Sequence, residues 1–250
     1  FKLRLENDRT DEIGALTDSF NCMLDRINTL VNQVYQQELA QKNAEIEALQ
    51  AQINPHFLYN TLDSVNWMLI ARGEMDISAV VVALGKLMQY SMDTARAMVS
   101  LEEEYRNARD YLMIQKNRLE DRLEFTLELD EPLKCFPVPK LILQPLVENA
   151  IKYGIEPSLQ PGHILVRTRK TDDVIQILVK DNGCGMDKAQ LTFYRRLLRN
   201  DLSGQTNIGV RNVARRLQLH FGGRCGFNVS SRPGDGLSIT IRIPAQEEQP

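Results

Sequence analysis

Apolar residues in the first part of the chain are spaced as they are in a coiled coil. They alternate steps of three and four residues at Ile13, Leu16, Phe20, Met23, Ile27, Leu30 and Val34. This spacing keeps one apolar seam along a helix, so residues 1–40 are expected to pair with a second helix. A helix that needs only one apolar stripe is the alternative. Steps of four from Ile27 to Leu39, before a seven-residue repeat resumes at Ile46 and Ile53, predict a stutter.

The next helical stretch begins around Pro55 and has two unlike faces. Pro55 removes an intrahelical hydrogen bond and is expected to kink the helix just before His56. The apolar face is formed by Leu58, Leu62, Val65 and Leu69. The opposite face is formed by His56, Asn60, Asp63 and Trp67. His56 is therefore expected to point away from the apolar stripe.

A helical hairpin and a connecting helix are predicted next. Arg72-Gly73-Glu74 breaks the helix, and a partner helix is indicated by Ile77, Val80, Val81, Leu84, Leu87 and Met88. Two such hairpins would make a four-helix bundle. Ser100 and Glu103 form a capping box that predicts a helix to about Leu119.

The pattern changes from helical to mixed after residue 120. Alternating apolar residues predict strands at 123–129, 163–169 and 174–180, with a terminal hairpin at 225–231 and 237–243. Helices are expected at about 140–152, 187–199 and 208–220. The second domain is therefore predicted to be α+β, with helices covering one face of a mostly antiparallel sheet.

Composition narrows the possible functions. The net charge is −3 and the pI about 5.7, without a long basic run, so no nucleic-acid partner is expected. Cys22, Cys135, Cys184 and Cys225 form no C-x-x-C pair, which favours reduced thiols and no zinc. Phe1 begins in a charged stretch, and neither a signal region nor a membrane span follows, so a soluble fragment is expected.

Three positions combine into a candidate nucleotide site. Asp181 opens the glycine-rich turn Asp181-Asn182-Gly183-Cys184-Gly185 directly after a strand, and its carboxylate can accept from an exocyclic amine. Asn149 on a buried helix offers an amide oxygen suited to Mg²⁺. Lys152, one turn further on and expected on the same face of the helix as Asn149, could neutralise phosphate. Taken singly, these are also an ordinary turn, a polar helix residue and a solvated lysine, and His56 could be a structural histidine.

The order of these motifs resembles that of sensor histidine kinases of the LytS/YesM type, over residues 48–244. PHFLYN at 55–60 is similar to the phosphoacceptor motif, and PKLILQPLVENAIKYG at 139–154 to the N box. DNGCGM at 181–186 resembles the G1 box, and IGVRNVARRLQLHFG at 208–222 the G2 box and its helix. The resemblance implies the ATP-binding sandwich shared with gyrase, Hsp90 and MutL.

The same resemblance implies roles for individual residues. Asp181 would bind the adenine amine and Asn149 would hold Mg²⁺. Other ATP-binding residues would be Lys152, Tyr153, Gly183, Gly185, Ile208, Gly209 and Val210, with residues 187–206 as a mobile lid. Two departures are expected to tune affinity, because Asn207 and Leu237 stand where a glycine and a threonine are common.

The implied reaction is phosphoryl transfer from ATP to His56, and then to an aspartate of a response regulator. Pro145 occupies the place where related ATPases carry a water-activating glutamate, which favours a kinase over an ATPase. A nucleotide-binding scaffold and an ATPase of the gyrase and Hsp90 class are the alternatives. Phe57 follows His56, so a base must come from elsewhere, either Glu148 or Asp63 on the His56 helix.

A second resemblance concerns the N-terminus. Residues 11–23 resemble the second helix of a HAMP signal-relay domain, which implies a bacterial parent protein anchored in the cell membrane with this fragment in the cytoplasm. The expected organisation is a partial HAMP helix at 1–31, a coiled-coil linker with phosphotransfer helices at 32–120, and an ATP-binding domain at 121–250. The expected partners are a second copy of the chain and a response regulator.

Overall fold

The computed structural model describes residues 12–51, 55–93, 96–198 and 208–245, and the chain divides into two units after His56. In the first unit, α1 (Glu12–Ala51) is one helix. The predicted coiled-coil seam is solvent-exposed in the single chain, with fractions between 38% and 70% for Leu16, Phe20, Met23, Ile27, Leu30 and Val34. The stutter depends on side chains beyond Val34 that lie outside the described part, so it stays a prediction.

Two antiparallel helices begin the second part of the chain. They are α2 (Pro55–Ala71) and α3 (Met75–Met92), and Gly73, with φ of +78°, lies in the turn between them. Ser78 Oγ on α3 donates to Asn66 Oδ1 on α2 at 2.6 Å. Pro55 is the first residue of α2, where its missing N–H would have no helical partner. Residues 52–54, where the kink was predicted, are outside the described residues.

The hairpin leaves much apolar surface exposed. Ala83 and Leu87 are buried, and Leu58, Leu62 and Leu69 are half-buried. Exposed apolar side chains are Phe57, Val65, Trp67, Met68, Ile70, Met75, Ile77, Val82 and Leu84. A contiguous exposed apolar surface on a folded chain often marks a site where another protein binds.

The predicted capping box opens the helix that joins the hairpin to the sheet. α4 (Leu101–Leu119) follows a short strand, β1 (Met98–Ser100). Ser100 Oγ accepts from Glu103 N at 3.2 Å, and the Glu103 carboxylate accepts from Ser100 N at 3.0 Å. The pair satisfies two backbone N–H groups that the first turn leaves without partners.

The sheet of the second domain confirms the α+β prediction. The remaining strands are β2 (Leu123–Leu129), β3 (Pro137–Pro139), β4 (Gly162–Thr171), β5 (Val174–Asp181), β6 (Gly226–Ser231) and β7 (Leu237–Pro244). Five of them form one sheet in the order β2-β4-β5-β7-β6, in which only β2 and β4 are parallel. β1 and β3 form a separate antiparallel pair, which was not predicted because three residues carry no periodicity.

Helices cover one face of this sheet. Alternate residues of β5, Ile175, Ile177 and Val179, are buried, and the helical layer over them includes α4, α5 (Gln144–Asn149) and α7 (Ile208–Phe221). Since side chains alternate along a strand, Asp181 falls on the same face as these three residues. α6 (Lys188–Leu198) follows the turn after β5. None of the described helices is long and apolar enough to cross a bilayer.

The helix expected at 140–152 differs from the prediction at both ends. α5 begins at Gln144, and the residues before it form a turn in which Leu141 has φ of +61°. The buried Glu104 carboxylate accepts the N–H groups of Leu141, Ile142 and Leu143, which holds this turn open. After Asn149 the chain continues as a π-helix, Ala150–Ile155, with wider turns than an α-helix.

Candidate nucleotide site

A cavity of about 500 Å³ lies beside the end of β5. Its walls come from α5 and the π-helix on one side, from the turn after β5, and from α6 on the other. The lining is mostly apolar and includes Met186, Phe193 and Leu237, with Asn149 and Asp181 as its buried polar groups. A largely apolar cavity with a few placed polar groups is the usual form of a small-molecule site.

Asp181 is a buried carboxylate held in one orientation. Its Oδ1 accepts from Gly183 N at 2.9 Å and from Leu237 N at 3.2 Å. Burial raises the pKa of the Asp181 carboxyl, and the backbone donors oppose that shift. Both bonds go to Oδ1, so Oδ2 can accept from a ligand in the cavity.

The glycines of the turn allow a very close approach of two backbones. A Cβ on Gly183 would lie 2.2 Å from the carbonyl carbon of Gly154, and Cys184 N donates to Gly154 O at 2.9 Å. Gly185 has φ of +67°, and its Cβ would lie 1.9 Å from Arg232 O. The turn after β5 therefore crosses the π-helix at a point where Gly183 cannot carry a side chain, and a Cβ on Gly154 would lie 2.8 Å from Asp181 Oδ1.

Asn149 faces the cavity and is fixed by a tyrosine of α6. Its Nδ2 donates to Tyr194 Oη at 3.1 Å, and both side chains are buried. Burial, and then the charge of Asp181, raise the pKa of Tyr194, so its hydroxyl is neutral. With Nδ2 occupied, Oδ1 of the amide is the end that can bind a cation, which fits the oxygen preference of Mg²⁺.

Lys152 and Tyr153 are placed differently. Tyr153 lines the cavity and is half-exposed, whereas Lys152 is exposed and is not part of the lining. Lys152 Nζ lies 5.2 Å from the Tyr153 ring centroid. The expectation that Lys152 shares the face of Asn149 assumed α-helical turns. The wider π-helical turn brings Tyr153 and Gly154 to that face instead.

Of the predicted G2 residues that the structure describes with their side chains, Gly209 and Val210 do not line this cavity. α7 begins at Ile208, whose side chain is outside the described part, and Val210 is buried in the core. Gly209 is exposed, and a Cβ there would lie 3.4 Å from Pro145 Cβ. Of the predicted lid at 187–206, residues 199–206 lie outside the described residues, so α6 is the helical part that can be placed.

The residues proposed around phosphoryl transfer are all exposed. His56, Asn60 and Asp63 lie on α2 with solvent-accessible side chains. Glu148 is exposed beside the buried Asn149 on α5. Burial, and secondarily the charge of Glu148, raise the pKa of Tyr111 on α4 to about 12. Glu148 is therefore close enough to α4 for its charge to act on Tyr111.

Sequence reasoning missed the wall formed by α6. Gln190, Phe193 and Tyr194 line the cavity, and Met186 and Gly154 complete it. Gln190, Phe193 and Tyr194 are spaced by three and four residues on a short amphipathic helix, and this spacing was a usable signal. It predicts an apolar face but gives no indication that Tyr194 bonds to Asn149, because that contact depends on how α6 packs.

Comparisons with known proteins identify the family of the chain. Residues 44–123 match the histidine kinase family, and residues 138–247 match the family described as histidine kinase-, DNA gyrase B-, and HSP90-like ATPase. The sensor histidine kinase YesM of Bacillus subtilis is 41% identical over 246 residues, which cover 98% of this chain and 41% of the relative. An uncharacterized sensor-like histidine kinase of Staphylococcus epidermidis is 31% identical over 215 residues, covering 86% of this chain and 41% of the relative.

A solved histidine kinase domain, from the blue-light activated kinase of Erythrobacter litoralis EL346, aligns with a TM-score of 0.45 at 18% identity. The alignment covers 76% of this chain and 96% of that domain. The chain spans 41% of the length of the two relatives above. With both family matches in order along it, the chain belongs to the sensor histidine kinases of the LytS/YesM type.

Proposed function

We propose that this chain is the catalytic part of a two-component sensor kinase that transfers the γ-phosphoryl group of ATP to His56. The observation that carries the proposal is the shared cavity of Asp181 and Asn149, two buried polar side chains in a mostly apolar site. The family match supports the reaction, because both the histidine kinase and the ATPase families occur in one chain.

Adenine would bind at the deep end of the cavity, beside Asp181. Its exocyclic amine would donate to Asp181 Oδ2, while Met186, Phe193 and Leu237 supply apolar contacts. Gly183 and Gly185 would contribute backbone close to the nucleotide, and Tyr153 would flank it. Ile208, Gly209 and Val210 would approach the phosphates from the start of α7, together with Lys152, after a movement of the lid.

Asn149 Oδ1 would hold Mg²⁺, which neutralises the charge of the phosphates. The ring nitrogen of His56 then forms a bond to the γ-phosphorus as the bond to the β–γ bridging oxygen breaks and ADP leaves. The resulting phosphoramidate passes its phosphoryl group to an aspartate of a response regulator. Pro145 in the first turn of α5 supplies no carboxylate to activate water, which supports transfer to protein over hydrolysis.

The chain is further proposed to act as a homodimer and to derive from a membrane-anchored bacterial protein, with this part in the cytoplasm. The exposed seam of α1 and the exposed apolar surface of α2 and α3 support dimerisation. Three segments, 1–31, 32–120 and 121–250, would serve as HAMP-like helix, phosphotransfer module and ATP-binding domain. A nucleotide-binding scaffold without transfer is the second candidate.

Replacing His56 tests the reaction directly. His56→Gln should abolish labelling by γ-labelled ATP with Mg²⁺ and leave ATP affinity nearly unchanged, because it removes only the acceptor nitrogen. The matched control is His163→Gln, at an exposed histidine on β4 that bonds to Thr126 Oγ1 at 3.0 Å. Equal labelling of the His56 variant would refute the assignment, and no labelling of the unmodified chain would favour the scaffold.

Replacing Asp181 tests adenine binding. Asp181→Asn should weaken ATP binding roughly tenfold to a hundredfold, the range for losing a hydrogen bond to a charged group. Titration with a fluorescent ATP analogue measures this, and Asp235→Asn in the exposed turn before β7 is the control. Unchanged affinity in the Asp181 variant would remove that residue from adenine recognition.

The base that prepares His56 is assigned to Glu148, which is exposed beside Asn149. Glu148→Gln should slow phosphorylation by about 10² to 10⁴, with little change in ATP affinity. Asp63→Asn should have a small effect, because Asp63 lies about 10 Å along the helix from His56. Single-turnover labelling separates the two residues. A defect confined to Asp63→Asn, or lost ATP binding in Glu148→Gln, would show that the base is misassigned.

The dimer can be tested by its mass in solution. The full chain should be dimeric at micromolar concentration by light scattering. Met23→Glu with Leu30→Glu should weaken the dimer because charges enter the α1 seam. Thr29→Glu with Gln36→Glu, at two exposed polar positions off the seam, adds the same charge and should not weaken it. A monomeric full chain would contradict the coiled-coil interpretation.

A further inference from the structure

A carboxylate in the core has a role that the nucleotide site does not account for. Glu104 on α4 is completely buried, and its two oxygens accept from the N–H groups of Leu141, Ile142 and Leu143 at 2.6, 2.8 and 2.8 Å. The hydroxyl of Tyr90 also donates to it. Burial raises the pKa of Glu104, and these four donors oppose that shift.

The three amides belong to the turn that starts α5. Leu141 has φ of +61°, a left-handed conformation that leucine adopts only when its surroundings impose it. α5 begins three residues later and is only six residues long, ending at Asn149. In so short a helix, a shift of the first turn moves the last residue as well. The position of the amide that faces the cavity is therefore set partly by Glu104.

The fourth donor comes from a different helix. Tyr90 lies near the end of α3, which pairs with the helix that carries His56. A second contact also joins the turn to the end of α3. Lys140 Nζ donates to the Asp93 carbonyl and lies 4.6 Å from the centroid of the Tyr90 ring. Arg216 on α7 donates to Lys140 O at 2.8 Å. The turn is thus held by α3, α4 and α7 together.

We propose that Glu104 and Tyr90 are positioning residues, which couple the position of α3 to the start of α5 and thereby to Asn149. A movement of α3 that withdraws the Tyr90 hydroxyl leaves the buried carboxylate with three donors and loosens the turn. The role of Asn149 in holding Mg²⁺ rests on the proposed function. The mechanical link itself rests on the contacts alone.

A purely structural role is the competing explanation. Capping the turn needs only the three backbone amides, and a buried hydroxyl on α3 could be kept for stability. The two explanations differ in what happens when Tyr90 loses only its hydroxyl. If Glu104 only caps the turn, loss of the hydroxyl leaves the turn unchanged. If Tyr90 and Glu104 couple α3 to α5, loss of the hydroxyl loosens the turn and changes the metal-dependent part of nucleotide binding.

The test compares Tyr90→Phe with Tyr105→Phe in the full chain. Tyr105 is also buried, and its hydroxyl bonds to Glu128 O at 2.9 Å and Thr168 Oγ1 at 2.8 Å, away from the turn. Hydrogen exchange by mass spectrometry should show the amides of residues 141–143 exchanging about tenfold faster in Tyr90→Phe, the effect of one lost hydrogen bond to a charged group. Tyr105→Phe should leave those amides as they are.

ATP affinity is the second measurement. Tyr90→Phe should weaken ATP binding about tenfold with Mg²⁺ and leave it unchanged with EDTA, since groups that orient a metal ligand act through the metal. Unchanged exchange at residues 141–143 would overturn the coupling, as would an equal loss of affinity with and without Mg²⁺. If the unmodified chain fails to label His56 while exchange responds as expected, the proposed function fails and the coupling stands.

Glu104→Gln gives an independent check. The glutamine can accept with one oxygen only, so at least one of the three amides loses its partner. We expect faster exchange at residues 141–143 that is not increased further by adding Tyr90→Phe, because both changes act on one contact. Additive effects of the two substitutions would overturn the coupling.

Discussion

The candidate site depends on the crossing of two glycines. Gly183 in the turn after β5 passes so close to the backbone of Gly154 in the π-helix that Gly183 could not carry a Cβ. This approach lets Cys184 N bond to Gly154 O and brings the end of β5 against the helix that carries Asn149. Without it, Asp181 and Asn149 would not share one cavity. The nucleotide site therefore depends on the close packing of one backbone segment against another.

The position of Asp181 follows from the sheet in a way that the sequence makes visible. Ile175, Ile177 and Val179 alternate as the buried face of a strand, and the next position in that series is a carboxylate. An acid at the end of an apolar series is placed among helices, where burial raises its pKa. Its side chain can remain there because the turn after β5 and the start of β7 each supply a backbone donor.

The strong periodicity of the sequence predicted the fold, but it could not predict contacts between secondary-structure elements. The helices, the β-strand pattern of the main sheet and the capping box at Ser100 and Glu103 were confirmed because local spacing determines them. The start of α5 was wrong because Glu104, 37 residues before Leu141, holds the turn. The placing of Lys152 failed because nothing in the local pattern distinguishes a π-helix from an α-helix. Tyr194 was missed for the same reason as Glu104, since its bond to Asn149 joins residues 45 positions apart.

The Asn149–Tyr194 hydrogen bond means that the two ends of the Asn149 amide face different partners. Its nitrogen is bound to α6, and its oxygen is available to the cavity. A ligand that fixes the oxygen also restricts the nitrogen, so it stabilises the position of α6. By thermodynamic reciprocity, whatever holds α6 in place must raise the affinity for that ligand by the same factor. Ligand binding in the cavity and ordering of α6 are therefore thermodynamically coupled.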